Sequence, residues 1–308
     1  MQVGMTLPVM EPDLDAATLE SWARAIDQGP FSSLCFGERM AFDNPETLTL
    51  LGAVAAWTER VRLVTTVVVP QLHDPVMLAK ALATGDLLSA GRLSVGVGVG
   101  GREEDYLAVG ADLSLQTMGE MADRVTTMRR VWAGEQVTAA VRHVGPAPVQ
   151  PGGPEVLVGT MGPRTVRHAA GWADGLAGVT LDLDTSAVAD LFELARRSWA
   201  DAGRARPRLT TSFWFALGDE QPARRQVHQH LRHYMNWLPV DLVDAMAPTT
   251  GFAGSEEQLG SVLQGFADIG ADEVHLIPTS ADLAQVARVA EVVADVQPSL
   301  SRRPVPGN

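Results

Sequence analysis

The stretch Gly96-Val97-Gly98-Val99-Gly100-Gly101 contains the spacing G-x-G-x-x-G behind a β-rich run. Between a strand and a helix, that spacing marks a turn that cradles a dinucleotide pyrophosphate. Here the glycines alternate inside the run, and the next helical stretch opens Glu103-Glu104-Asp105, whose charges would repel a pyrophosphate. The competing reading is that glycine removes bulk where the strand passes close to a helix or a planar ligand. A second segment, Gly159-Thr160-Met161-Gly162-Pro163-Arg164, closes a β-rich run and opens a helix. Glycine allows close backbone approach, Pro163 suits the first helical position, and the free amides of a helix start attract anions. With Arg164 and Arg167 nearby, the segment reads either as an anion site or as an ordinary turn.

Other candidates carry titratable chemistry. Glu38 and Arg39 follow a short apolar run, as a binding pair or as a structural ion pair. Thr65 and Thr66 lie inside the next run, and His73 follows it as a candidate proton donor. His228, His230 and His233 cluster, but no carboxylate or cysteine at helical spacing completes a metal set, so a solvated helix face and no metal are expected. G-x-S-x-G, H-E-x-x-H and a P-loop are all missing, which removes serine hydrolase, zinc protease and P-loop NTPase readings. Cys35, the only cysteine, sits within an apolar run and permits no intrachain disulfide, so a reducing, cytoplasmic setting is expected.

These residues must be held by alternating short β-rich runs and longer helical ones. Strands are predicted over 2–7, 33–36, 62–69, 92–99, 155–159, 175–179, 209–216 and 273–277. Helices are predicted over 15–27, 45–59, 75–88, 117–133, 163–172, 185–202, 223–238, 255–269 and 281–296. Arg62 to Val69 (RLVTTVVV) is apolar nearly throughout, as in a parallel strand buried on both faces. Eight βα units in 308 residues fit a single α/β (β/α)8 TIM barrel over 1–296, with an open doubly wound sheet as runner-up. In such a barrel the active site lies at the C-terminal ends of the strands. Segments 135–153 and 236–254 read as insertions on that face, and 297–308 as a loose tail.

Composition narrows the partners. The chain is 46% hydrophobic and carries 24 Lys plus Arg against 37 Asp plus Glu, a net charge of −13. Lys80 is its one lysine. No clustered basic footprint supports nucleic-acid binding, and an acidic chain avoids anionic membranes. Arg62 to Pro70, the most apolar stretch, is far shorter than the ~20 residues of a membrane helix. Residues 1–10 lack the pattern of a signal peptide. The expected partner is a small molecule, and any phosphate site must be built locally. Arginine use over lysine, with abundant Ala, Gly and Val, is the coding bias of a GC-rich genome.

Several segments together resemble the luciferase-like monooxygenase superfamily of flavin- and deazaflavin-dependent oxidoreductases. They are PFSSLCFGERM (30–40), TERVRLVTTVVVPQLHDPVMLAKALATGDLLSAGRLSVGVGVGGREEDY (58–106), PGGPEVLVGTMGPRTVRHAAGWADG (151–175) and GFAGSEEQLGSVLQGFADIGADEVHLIP (251–278). The resemblance implies reduced FMN or coenzyme F420, with hydride transfer to, or monooxygenation of, a small organic substrate, and a homodimer. It implies a non-prolyl cis peptide at Thr66–Val67 under the cofactor ring, with Thr65 beside it and Gly98 and Gly100 bordering the ring. It makes Gly159, Thr160, Met161, Gly162 and Pro163 the cofactor-phosphate loop. Glu38 and Arg39 fall where many members carry an acid followed by a catalytic histidine; Arg39 departs from that pattern. Gly101 stands where the glucose-6-phosphate-type deazaflavin dehydrogenases carry a glutamate. The expected catalytic set is therefore Glu38, Arg39 and His73. Alternatives are a non-catalytic flavin-binding relative and an unrelated phosphate-binding barrel enzyme; the latter would have a trans Thr66–Val67 bond. The insertions are expected to line the substrate pocket, with Met235, Trp237 and Phe252 as an apolar wall or as packing under a loop.

Overall fold

A computed structural model describes residues 1–160 and 162–300. Nine strands form one sheet: β1 (Gln2–Thr6), β2 (Ser33–Phe36), β3 (Arg62–Val68), β4 (Leu93–Val97), β5 (Glu155–Thr160), β6 (Gly175–Gly178), β7 (Arg208–Leu217), β8 (Phe252–Gly254) and β9 (Glu273–Pro278). All pairings are parallel. β1 to β7 pair in order, β7 pairs with β9, and β9 pairs with β1. Eight strands thus close into an α/β barrel, and the open-sheet alternative is excluded. The ninth, β8, adds to the end of β7 at Phe215–Leu217. Its three residues lie in a segment read as insertion; they are too few for periodicity to show.

The helices outside the barrel follow from local pattern. Helix Ala16–Gln28 buries Leu19, Trp22, Ala23 and Ile26, one stripe at helical spacing, and is capped by the Asp15 carboxylate, which accepts from Thr18 N–H. Helix Pro75–Leu88 begins with proline and is capped by Asp74. Of the boundaries that differ from expectation, two bear on the site and the core. Helix Glu220–Tyr234 stops four residues early, freeing 235–238 to turn toward the barrel mouth. The last helix runs through Pro298 to Leu300, which is buried in the core; only 301–308 of the expected tail lie outside the described residues. Among the described residues, no helix is long and apolar enough to cross a membrane.

The 135–153 segment is not on the expected face. It joins the end of helix Met118–Trp132 to the start of β5, and so belongs to the N-terminal face of the barrel. The buried Asp86 carboxylate holds it there, accepting from the N–H groups of Val149 (2.7 Å) and Gln150 (3.1 Å) and from the Gln150 amide (2.7 Å).

At the other end, β3, β4 and β5 approach unusually closely. The β3–β4 register shifts between Thr65 and Val68, and the Thr66–Val67 peptide there is cis. A Cβ on Gly96 would overlap the Thr65 carbonyl oxygen. One on Gly98 would lie 2.7 Å from Val67 Cγ2, and one on Gly159 3.1 Å from Val67 Cγ1. The alternating glycines therefore make room for a neighbouring strand. Gly96→Ala is expected to destabilise the fold by about 2 kcal/mol, because its obstacle is backbone; urea denaturation against wild type measures this, and an unchanged midpoint would contradict it.

Candidate active site

A pocket of about 620 Å3 opens at the C-terminal ends of the barrel strands. Its floor includes Thr66, Val67, Gly98, Gly100, Gly159 and Thr160, all expected from the sequence. Its walls include Glu38, Arg102, Ser212, Trp214, Tyr234, Met235, Trp237 and His275. Met235 and Trp237 form the expected apolar wall. Phe252 does not: as the first residue of β8 it packs into the core.

Glu38 is held at both oxygens. Val69 N–H donates to Oε2 at 2.7 Å, and His73 Nε2 lies 2.8 Å from Oε1. His73 thus stands behind the carboxylate rather than in the pocket lining. Arg39 turns away altogether. Its Nε–H donates to Asp105 Oδ2 at 2.9 Å, while Asp105 Oδ1 accepts from Met40 and Ala41 N–H. Burial, and then the neighbouring Arg102 guanidinium, hold Arg39 below the usual arginine value. Of the two readings of Glu38–Arg39, neither survives: each residue has a different partner.

Thr65 also departs from expectation. It is wholly buried and its hydroxyl donates to Gly96 O at 2.9 Å, so it ties β3 to β4 instead of lining the pocket. In the next loop, Gly162 N–H donates to Thr160 Oγ1 at 3.1 Å. Gly162 and Pro163 stand just outside the lining, and Thr165 reaches it one turn on. Met161 lies outside the described residues. Arg164 and Arg167 are exposed and do not line the pocket.

The histidine cluster divides. His228 Nε2 meets Asp244 Oδ1 at 2.7 Å, and Asp244 also binds Arg232; these two partners pull the Asp244 carboxyl down to about 2. His230 is buried, not solvated: Nδ1 pairs with Glu11, and the ring stacks on Tyr234. Both carboxylates come from other segments, which helical spacing could not reveal. Among the described residues, no group of three His, Cys, Asp or Glu could hold a metal ion.

Sequence reasoning missed His275 and Arg102. His275 follows Glu273 by two in β9, so both side chains point into the barrel, and that alternation was the available signal. Glu273 is buried and accepts from the Ser32 (2.5 Å) and Ser33 (2.7 Å) hydroxyls and from Arg208 (2.6 Å). Its Oε2 lies 3.4 Å from His275 Nε2. Burial alone would raise the Glu273 carboxyl; His275 and Arg208 together hold it far below the carboxylate range. Burial alone would lower the His275 imidazole, but contacts with Cys35 and Glu273 raise it. Arg102 follows the glycines of β4 at a strand end, the position where a barrel places its site residues.

The sequence model of luciferase-like monooxygenases matches residues 1–293. The chain belongs to this family. An uncharacterized protein of Mycobacterium bovis is 38% identical over 163 residues, 50% of this chain and 56% of the relative. An F420-dependent glucose-6-phosphate dehydrogenase of Kineococcus radiotolerans is 28% identical over 211 residues, 64% of this chain and 60% of the relative. The chain thus spans little more than half the length of these curated relatives. The solved structure of the monooxygenase RslO1 from Streptomyces bottropensis shares the fold, with TM-score 0.78 and 22% identity over 98% of this chain and 100% of that one. This luciferase-like chain keeps the cis peptide and the glycine floor, and departs from the resemblance's pattern at Arg39 and Gly101.

The charged layer beneath the pocket has a definite pH signature. Glu273→Gln removes the carboxylate that faces His275 and leaves Arg208 only the more distant Glu155 at 4.0 Å, and it is expected to destabilise by about 3–5 kcal/mol at neutral pH. Because the folded carboxyl is depressed, its contribution is present above the ordinary carboxylate value and fades as pH falls below it. The difference in unfolding free energy between wild type and variant should therefore shrink below about pH 4. Denaturation at pH 7 and pH 3.5 measures it; a difference that grows in acid would refute the assignment.

Proposed function

We propose that this pocket binds a flavin-type redox cofactor, FMN or F420, and that the protein is an oxidoreductase acting on a small organic substrate. The supporting observation is the floor: the cis Thr66–Val67 bond and Gly98, Gly100 and Gly159 form a low, largely apolar surface beside the fixed Glu38 carboxylate. The fit is physical as well as familial. Glycine leaves no Cβ on that surface where a flat ring would lie, and the pocket volume falls within the ~300–1,000 Å3 of ligand sites. Thr66, Val67 and the three glycines would hold the ring, and Thr160, Gly162 and Pro163 its phosphate end. A bound cofactor supplies two-electron chemistry that no side chain of this site offers.

The chain's own residues bind, orient and shield. Trp214, Tyr234 and Trp237 keep the inner pocket dry, which strengthens every polar contact there. Glu38 holds a proton position at Oε1, shared with His73 Nε2 and fixed by the Val69 N–H. The F420-dependent relative supports hydride transfer, and the monooxygenase relative supports oxygen use. F420 is the first choice, in line with the genome bias. A non-catalytic relative is the second reading, favoured by Arg39 being locked on Asp105 where deazaflavin dehydrogenases carry histidine.

Titration of the full chain with FMN and with F420, followed by absorbance and fluorescence, tests the first reading. One of them should bind in the micromolar range, and Gly98→Leu should abolish that binding. Micromolar binding of neither would overturn it. Glu38→Gln should keep cofactor affinity but slow any turnover about 100-fold. Turnover with bound cofactor excludes the non-catalytic reading.

A further inference from the structure

Arg102 is a charged feature of the pocket wall that the cofactor reading does not use. Its guanidinium carbon lies over an aromatic pair, 3.8 Å from the Trp237 ring centre and 5.0 Å from that of Tyr234. Its Nε is buried and, among the described residues, has no hydrogen-bond partner. Among the described residues, no carboxylate lies within ion-pair distance of it. The adjacent acid, Asp105, is already committed to Arg39 and to two backbone N–H groups.

The surroundings make this cation worse off. Arg39 packs against the same aromatic group, 5.1 Å from the Trp237 ring centre and 4.8 Å from that of Phe42. Its Nη1 is also buried without a partner, and the two guanidiniums disfavour one another. Of two neighbouring cations, only Arg39 is paired with the adjacent carboxylate, Asp105. A half-buried donor left unmatched costs free energy, and aromatic faces recover only part of it. Arginine is also the side chain best shaped to grip a carboxylate through two parallel N–H groups. An acidic chain repels anions at long range, so an anion site here must be built from such local charge. The rest of the neighbouring wall is apolar, with Val99, Met118, Leu181 and Leu238.

We propose that Arg102 is a specificity-determining residue that docks the anionic end, a carboxylate, of a substrate with an apolar body. The guanidinium would donate N–H hydrogen bonds to the carboxylate oxygens while Trp237 and Tyr234 pack against it. This rests on the redox reading of the pocket, but the docking step itself requires no cofactor. An anion at Arg102 could also be the cofactor's phosphate, and the test separates the two.

The test is calorimetric titration of the full chain, with and without FMN or F420, using hexanoate and phenylacetate against hexanamide and phenylacetamide. Tryptophan fluorescence gives a second readout through the Arg102–Trp237 contact. At least one acid should bind about tenfold or more tightly than its amide. Arg102→Met, which keeps the stem but not the charge, should erase the preference, and Arg102→Lys should restore part of it. If Arg102→Met fails to fold, Arg102→Gln serves the same purpose. Equal affinity of acid and amide, no binding of either acid, or a preference that survives Arg102→Met would each overturn the proposal. Loss of FMN affinity without loss of riboflavin affinity in Arg102→Met would assign the anion to the cofactor instead, also overturning it. Acid preference in a chain that binds neither cofactor would refute the cofactor reading alone.

Discussion

The Val67 side chain has to fit against two neighbouring strands at the place where their register shifts, and the site's floor depends on that fit. Gly96 yields to the Thr65 carbonyl, and Gly98 and Gly159 yield to the two Val67 methyl groups. Close packing leaves no slack for added atoms in a barrel wall. The same glycines that admit the neighbour leave the top of the wall bare, and that bareness becomes a ligand surface. Packing and binding are therefore two consequences of one steric requirement.

Beneath this floor the barrel interior is polar. Glu273 gathers two serine hydroxyls, Arg208 and His275 around one buried carboxylate. Buried charge persists only when it is paired and hydrogen-bonded. Gly4 on β1 leaves the space this requires, since a Cβ there would overlap Ser33 Oγ and stand 2.9 Å from His275 Cδ2. His275 reaches the pocket from this network, so the floor is supported by steric fit on one side and by paired charge on another. Above it, the arginine and aromatic group of Arg39, Arg102, Phe42, Tyr234 and Trp237 joins the β2 and β4 loops to the segment after β7. Two of its three parts come from stretches that resemble the family least or depart from its pattern.

Much of this was legible. The eight barrel strands, the capped helices and the strand-end glycines come from patterns a few residues long. The resemblance supplied the cis bond, whose position the structure bears out. What misled was direction. Arg39 and Glu38 are adjacent in the chain yet face different partners, because successive residues leaving a strand point to opposite sides. Thr65 and Thr66 divide the same way, one between strands and one into the pocket. Segment 135–153 lies on the N-terminal side and not on the pocket face, because it joins a helix to the next strand. His230 found its carboxylate in Glu11, far away in sequence, where no spacing rule looks.

Periodicity, caps and glycine placement act over a few residues, so the chain alone sufficed for the eight barrel strands and their order, while closure, which excluded the open sheet, and the short elements β8, Glu103–Val109 and Val240–Met246 came from the fold. Charge partners act across distances in the fold and not in the chain. Only barrel closure could decide that Asp105 belongs to Arg39, that Glu273 belongs to Arg208 and His275, and that Arg102 packs on aromatic rings with no carboxylate in ion-pair reach among the described residues. The physical reason is that pairing requires contact within about 4 Å, and contact between strands is set by closure. The net charge of −13 therefore said that an anion site must be local, while the fold decided where the arginines lie.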